Sequence, residues 1–565
     1  MLLSGDRPLI VQSDLTVLLD SSHPQAEEAR ERLAPVAQAL RQAGHIHIYQ
    51  ITALSLWNAA EEGIAAQDII ALLSAYSKYE LPLAAKLAVK ELLGRFGKLY
   101  LKKQDGELVL EGDVKLMEEL KSRLPIHWFK QCLTQGKWLV DGKFRGEMKQ
   151  AMTRQGYPVI DLAGYHAGEM LPIQMRGTTR GMQPFSLRDY QLEAVDRLYR
   201  DESGQGGSGV VVLPCGAGKT IVGIAALVRL GQAALILTSN ATSVKQWKNE
   251  LLDKTTLTEN DIGEYCGTLR QVNAVTIATY HIMTHRKAKN EPYSHIGLFA
   301  KRNWGLIIYD EVHLLPAPVF RMTASLQATR RLGLTATLIR EDGCAEDVYS
   351  LIGPKLFDLQ WKHAEQEAHI AAVACTEIRV SLHPQKLETY RAATARARLR
   401  LAAENPAKLA IVKELLHTHA GKPTLIIGQY LEQLKTMSKA LSAPIVSGEV
   451  PQGQRDELYE GFKKGEIPVL LVSKVANFAV DLPDAAVAIQ LSGSFGSRQE
   501  EAQRIGRLLR PKKGDNEAWF YTIVTDGTKE TEFALKRQLF MQDQGYAYQR
   551  RQPSVTLYKQ GAERT

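Results

Sequence analysis

Gly209-Val210-Val211-Val212-Leu213-Pro214-Cys215-Gly216-Ala217-Gly218-Lys219-Thr220 decides the fold. Its apolar first half reads as a buried strand of a parallel sheet, and residues 221–230 read as the helix that follows. Gly216 and Gly218 lack Cβ, so with Ala217 between them the backbone can form a tight nest of amides aimed at a phosphate. The N-terminus of the following helix adds its partial positive charge. Lys219 is placed to reach β- and γ-phosphate oxygens, and Thr220 to ligate Mg²⁺. Leu213 stands where the strict eight-residue pattern has glycine, so an ordinary glycine turn before a helix is the competing reading.

About ninety residues downstream, Trp304-Gly305-Leu306-Ile307-Ile308-Tyr309 is a second buried-strand run, and it ends in Asp310-Glu311-Val312-His313. Adjacent carboxylates at the carboxyl end of such a strand lie where open α/β sheets bind ligands. Asp310 suits a water-mediated hold on Mg²⁺, and Glu311 suits orienting or deprotonating an attacking water. A lone Asp-Glu pair is usually a solvated loop. Following an apolar strand, in a chain that already carries a phosphate loop, it points to hydrolysis of ATP.

Composition sets the frame. At 565 residues the chain exceeds what a single core supports, and an apolar fraction of 45% is that of a globular protein. A net charge of +8 and a pI of about 9.0 favour an acidic partner, nucleic acid first among them, against a merely solubilising surface. The five cysteines contain no Cys-x-x-Cys pair, so neither a disulfide framework, a zinc site nor an iron–sulfur cluster is expected. No apolar stretch is long enough to span a bilayer, and residues 1–6 lack the regions of a signal peptide. The expectation is a soluble cytoplasmic protein with no membrane partner, nucleoid-associated if prokaryotic.

Along the chain, residues 59–75 carry the pattern of an amphipathic helix, and Leu99-Tyr100-Leu101 with Leu108-Val109-Leu110 reads as a hairpin. Residues 126–182 read as a small mixed module ending in a glycine-rich hinge. Its Trp128, Phe129, Trp138 and Phe144 are better explained as core than as stacking platforms for bases. Beyond residue 362, apolar runs at 423–427, 468–472 and 486–491 alternate with helical patterns, which predicts a second parallel sheet. This second lobe has no phosphate loop of its own. It does carry Gln503-Arg504-Ile505-Gly506-Arg507-Leu508-Leu509-Arg510. In a helix Gln503, Arg507 and Arg510 share one face and suit arginine-finger chemistry on a γ-phosphate; a solvated basic face is the bland alternative.

Leu187-Arg188-Asp189-Tyr190-Gln191, the phosphate loop, Asp310 to His313, Gly333-Leu334-Thr335-Ala336-Thr337 and the 503–510 run resemble the ordered motifs of superfamily 2 helicases. More narrowly, the segments at 213–219, 333–342, 472–475, 481–483 and 501–514 resemble XPB helicases, and the likeness reaches the amino-terminal part at 51–56 and 68–70. The resemblance implies an α/β fold of two RecA-like parallel-sheet lobes with a helical thumb insertion, preceded by small α+β modules. The expected division is 1–125 for an XPB-like N-terminal domain and 126–182 for a damage-recognition-like module and linker. Lobe 1 is expected at 183–362, lobe 2 at 363–549 with its thumb at 381–404, and a tail at 550–565.

The resemblance also implies roles. Gln191, with Arg188 nearby, reads adenine, and Lys219, Asp310, Glu311, Gln503, Arg507 and Arg510 form the hydrolytic set. Trp247, Thr279, His313, Thr335 and Thr337 contact DNA or couple nucleotide state to it. Arg340, Glu341 and Asp342 match a motif implicated in unwinding, and Arg396 in the thumb suits a phosphate. The function implied is an ATP-dependent DNA helicase of 3′ to 5′ polarity, in DNA repair, with ATP and Mg²⁺ as cofactors and a monomer as the expected state. A duplex translocase that separates no strands is one alternative. An ATP-gated scaffold that recruits a nuclease or another repair protein is the other.

Overall fold

The computed structural model describes residues 7–43, 45–199, 207–286, 294–315, 319, 326, 329–336, 345–382, 384–473, 485–493, 501, 504–506, 508 and 516–552. The chain divides into two compact units, Met1–Leu213 with Gly218–Leu359, and Pro214–Ala217 with Gln360–Thr565.

The first unit contains three sheets. An antiparallel four-stranded sheet is made of β1 (Leu9–Val11), β2 (Thr16–Asp20), β3 (Gln38–Ala43) and β4 (Ile46–Gln50), in the order β1-β2-β4-β3. Its core is completed by Leu56, Ile69, Leu73 and Val89 from the helices that follow. Residues 59–75, expected as one helix, form the end of Ala53–Glu61 and most of Ala66–Tyr76. Gly63 separates them at φ +84°, a left-handed conformation that ends the first helix and that a side chain rarely adopts.

A five-stranded sheet follows: β5 (Leu99–Gln104), β6 (Glu107–Gly112), β7 (Phe129–Thr134), β8 (Lys137–Val140) and β9 (Val159–Asp161), in the order β7-β8-β6-β5-β9. The expected hairpin is β5–β6, with Leu101 opposite Leu110. The expected boundary at 125/126 is corrected, because β8 pairs with β6 and β9 with β5, so one sheet spans that point. Trp128 and Phe129 are buried, and Trp138 and Phe144 pack against the same core.

The third sheet is parallel and seven-stranded: β10 (Ser208–Val212), β11 (Ala234–Thr238), β12 (Ile262–Tyr265), β13 (Val275–Thr279), β14 (Leu306–Asp310), β15 (Arg330–Thr335) and β16 (Lys355–Asp358), in the order β12-β13-β11-β14-β15-β10-β16. β10, β11 and β13 are buried at every residue, as strands covered on both faces are, which accounts for the apolar run read at 209–213.

The second unit is built on another parallel seven-stranded sheet, of β17 (Ala372–Val380), β18 (Thr424–Ile427), β19 (Ile445–Val446), β20 (Val469–Val472), β21 (Val487–Gln490), β22 (Glu517–Thr525) and β23 (Tyr548–Arg551), ordered β19-β20-β18-β21-β22-β17-β23. Strand β23 takes in Arg550 and Arg551, which the sequence had assigned to a tail. The stretch expected as a thumb forms two helices, Pro384–Ala392 and Ala395–Ala403. No helix among the described residues is long and apolar enough to cross a membrane.

Candidate nucleotide site

Strand β10 delivers the chain to the phosphate loop, and Leu213 N donates to Thr335 O at 3.0 Å, extending the pairing of β10 with β15 by one residue. Gly216 and Gly218 take φ of +84° and +81°, and the helix Lys219–Leu230 starts immediately after. A side chain at Gly218 would also strike Gln191, whose Nε2 lies 2.5 Å from the place of a Cβ. Glycine here is therefore required twice over, by backbone conformation and by close approach. Gln191 is buried, and its Oε1 accepts from Arg188 N at 3.0 Å. Its amide thus stands against the phosphate loop, with the Arg188 guanidinium donating to Tyr190 Oη at 3.1 Å.

Lys219 Nζ lies 3.1 Å from Glu311 Oε1, so the loop lysine and the second carboxylate meet although 92 residues apart. Glu311 itself sits at φ 51°, ψ 54°, a left-handed conformation uncommon for a side-chain-bearing residue and typical of strain held at functional sites. Burial pushes the Glu311 carboxyl up, but Lys219 and His313 outweigh it and hold the group below the usual carboxylate range. Asp310 goes the other way. Burial, and then the charge of Glu311, push it up to about 6, against the hydrogen bond from Trp247 and the charge of Lys219.

This carboxylate pair fits a divalent cation. Glu311 Oε2 is buried with no hydrogen-bond partner among the described residues, His313 Nδ1 being 3.4 Å away. One oxygen of Asp310, Oδ2, is taken by Trp247 Nε1 at 2.9 Å. Mg²⁺ is usually held by one or two carboxylates together with phosphate oxygens. The described residues contain no cluster of three or more His, Cys, Asp or Glu that could hold a metal by itself.

Behind the carboxylates stand two buried aromatics. Trp247 is 1% exposed, wedged beneath the phosphate-loop helix where a Cβ on Gly223 would come within 2.6 Å of its ring. It cannot contact DNA; of its two expected roles only coupling is open to it. Tyr280, also buried, donates from Oη to Asp310 O at 2.8 Å. Thr279 is buried and caps the short helix Tyr280–Met283. His313 Nδ1 lies 2.7 Å from Thr335 Oγ1, joining the carboxylate motif to the end of β15.

Thr220 is the second residue of the loop helix, half-buried after Lys219. Arg396 is exposed on the second thumb helix. Of its neighbours, Arg400 is bound to Glu404 at 2.7 Å and Arg398 to Tyr390 O at 3.0 Å. Thr337, Arg340, Glu341, Asp342, Gln503, Arg507 and Arg510 lie outside the described residues. The last motif does contribute a described residue that sequence reasoning passed over. Arg504, 3% exposed, donates to Gln490 Oε1 at 2.8 Å, and Gln490 in turn donates to Glu501. A charged residue flanked by Ile505 and Leu508 was the available signal.

Three family models match the chain: "ERCC3/RAD25/XPB C-terminal helicase" over residues 364–560, "Type III restriction enzyme, res subunit" over 184–340, and "Helicase conserved C-terminal domain" over 9–128. Among similar proteins, the DNA 3'-5' helicase XPB of Kineococcus radiotolerans is 48% identical, over 96% of each chain. That of Mycobacterium tuberculosis is 46% identical, over 96% of this chain and 97% of its own. The Saccharomyces cerevisiae "General transcription and DNA repair factor IIH helicase/translocase subunit XPB/SSL2" is 30% identical, over 96% of this chain and 72% of its own. A structure of the "ATP-dependent Type ISP restriction-modification enzyme LlaBIII bound to DNA" shares the fold, with a TM-score of 0.50 at 13% identity over 66% of this chain and 31% of that one. With the two bacterial relatives this similar over nearly their whole length, the chain belongs to the XPB family of helicases.

Proposed function

We propose that the chain hydrolyses ATP to drive 3′ to 5′ movement along DNA and to open it. The observation that carries this reading is the meeting of Lys219, Glu311 and Asp310 at the carboxyl edge of the β10–β16 sheet, beside a glycine loop with the φ angles of a phosphate nest. Gln191 recognises the adenine edge. Lys219 exchanges its bond to Glu311 for the γ-phosphate, and Glu311, released, orients and deprotonates the attacking water. Thr220 and Asp310 are the residues that would hold Mg²⁺, which on binding neutralises charge building on the β- and γ-phosphates. Trp247 and Tyr280 fix Asp310 from behind, and the His313–Thr335 contact carries the state of the carboxylates to β15. Gln503, Arg507 and Arg510 supply arginine-finger chemistry on the γ-phosphate, by their spacing and by family resemblance. A cytoplasmic setting, nucleoid-associated if the source is prokaryotic, and a role in repair belong to the same reading.

Translocation on duplex DNA without strand separation is the second reading, favoured by the name of the Saccharomyces relative, a helicase/translocase subunit. Strand displacement on 3′-tailed and 5′-tailed duplexes, run beside triplex displacement on blunt duplex, tests both. Displacement confined to the 3′-tailed substrate supports the first. Triplex displacement alone supports the second. Activity with neither substrate, under conditions where ATP is hydrolysed, contradicts both.

A further inference from the structure

A buried polar network in the second unit gathers at the carboxyl end of β21. Glu501 is 0% exposed, and both of its oxygens are held. Oε1 accepts from Tyr548 Oη at 3.2 Å and Oε2 from Gln490 Nε2 at 3.0 Å, with Arg537 Nε 3.4 Å from Oε2. The oxygen of the same Gln490 amide accepts from Arg504 Nη1 at 2.8 Å. A single amide at the last residue of β21 therefore grips Glu501 and Arg504 together.

The partners of Glu501 and Arg504 come from three separate elements. Gln490 ends β21, Tyr548 begins β23, and Arg537 belongs to the helix Lys529–Asp543, while Glu501 and Arg504 are themselves helical. Pairing of β23 with β17, which sets Tyr548 opposite Cys375, fixes the tyrosine through its backbone as well. Burial, and then Glu501, push the Tyr548 hydroxyl well above its ordinary range, so it stays protonated and donates. A carboxylate buried this deeply is stable only while its hydrogen bonds are kept, which resists any rotation of the turn that carries it.

The helical spacing that puts Gln503, Arg507 and Arg510 on one face puts Glu501, Arg504, Ile505 and Leu508 on another. All four of the latter are buried, none more than 3% exposed. From Arg504 the chain runs through Ile505 and Gly506 directly into Arg507. An arginine finger acts by geometry: its planar fork has to meet phosphate oxygens, and misplacement by about 1 Å can cost about a hundredfold in rate. We propose that Gln490 and Glu501 are positioning residues for Arg507, which, with Tyr548 as their clasp, fix the rotation of the helical turn leading into it. The inference rests on the arginine-finger reading of the 503–510 run. It gives β23, the last strand of the sheet, a part in hydrolysis.

The test is steady-state ATPase of the full chain, with turnover expressed per bound nucleotide so that a smaller folded fraction leaves it unchanged. Gln490→Met keeps the length of the side chain and removes the amide. Its kcat is expected to fall about tenfold to a hundredfold, with KM for ATP within a fewfold of wild type. In Arg507→Lys, which keeps the charge and lacks the fork, the same substitution is expected to cost less than about threefold, because the aim it sets no longer matters. With Arg507→Lys impaired, a wild-type kcat in Gln490→Met, or its full loss repeated on top of Arg507→Lys, overturns the positioning role alone. A wild-type rate in Arg507→Lys overturns the finger reading, and the positioning role falls with it. Should Gln490→Met fail to fold, Tyr548→Phe, which removes one hydroxyl from Glu501, decides by the same cycle. A kcat lowered about threefold or more only where Arg507 is intact supports the role. An unchanged kcat, or an equal loss in both backgrounds, overturns it.

Discussion

Trp247 Nε1 donates to Asp310 Oδ2 at 2.9 Å across 63 residues of sequence. The indole therefore holds one oxygen of the carboxylate and leaves the other for the cation. Trp247→Phe keeps most of the ring volume and removes the donor. A lost hydrogen bond to a charged group costs about 1.5–3 kcal/mol, roughly tenfold to a hundredfold in any step that needs Asp310 ionised and aimed. The expected outcome is ATP turnover reduced by that factor and a higher Mg²⁺ requirement, with the thermal midpoint shifted by only a few degrees. Steady-state hydrolysis over a Mg²⁺ titration checks it, and unchanged curves would reduce Trp247 to packing.

Glu311 is bound to Lys219 at 3.1 Å and held in a left-handed backbone conformation. Glu311→Gln retains the shape and a hydrogen-bonding oxygen but removes the base. Fluorescent-nucleotide binding is expected to stay within a fewfold of wild type while turnover falls by about 10² to 10⁴, the range of general-base contributions. Near-normal steady-state hydrolysis would remove Glu311 from the role of base.

Arg507→Ala tests the proposed arginine-finger role of the 503–510 run. An arginine finger contributes about 10³ to 10⁵ in rate, so turnover is expected to become undetectable while nucleotide binding is retained. Hydrolysis at the wild-type rate would make the residue part of a solvated basic face.

The amino-terminal sheet carries a pH liability of its own. His47 faces inward on β4, 7% exposed, and burial first, then Arg30, push it down to about 4. Its folded value lies below the value of about 6.5 expected in the unfolded chain. Above 6.5 the ring is neutral in both states; between 6.5 and 4 the unfolded chain takes up a proton that the folded one refuses, so stability is lost as pH falls. Hydrogen exchange of β1–β4 in the full chain, corrected for intrinsic rates, is expected to show protection declining through that window. His47→Gln is expected to flatten the decline, and an identical decline in the variant would assign it to other groups.

Sequence reading reached the parts whose physics is local. The β10 run, the glycine loop and the β14 run ending in Asp310-Glu311 are legible because a strand buried on both faces must be apolar throughout and a phosphate nest must bend at glycine. What escaped depends on residues distant in sequence. Val244, Trp247 and Leu251 share the inward face of one helix, and only the fold brings Asp310 to the Trp247 nitrogen, so the resemblance that offered DNA contact or coupling did not show this bond. Arg145 and Lys149, at i and i+4, look like a solvated basic face; only Asp161 and Arg331 turn them into a buried cluster. The division at 125/126 failed for a related reason, since strand pairing across it is a long-range event that composition does not record.

Central to the proposed function is a motor that hydrolyses ATP because it holds DNA. Its most direct test is the steady-state ATPase rate of the full chain with no nucleic acid, single-stranded DNA, duplex DNA and RNA, each at several salt concentrations. The predicted result is a rate raised about tenfold or more by DNA and little by RNA, with the stimulation fading as salt rises because phosphate contacts carry the binding. A rate indifferent to DNA at every salt concentration would contradict it.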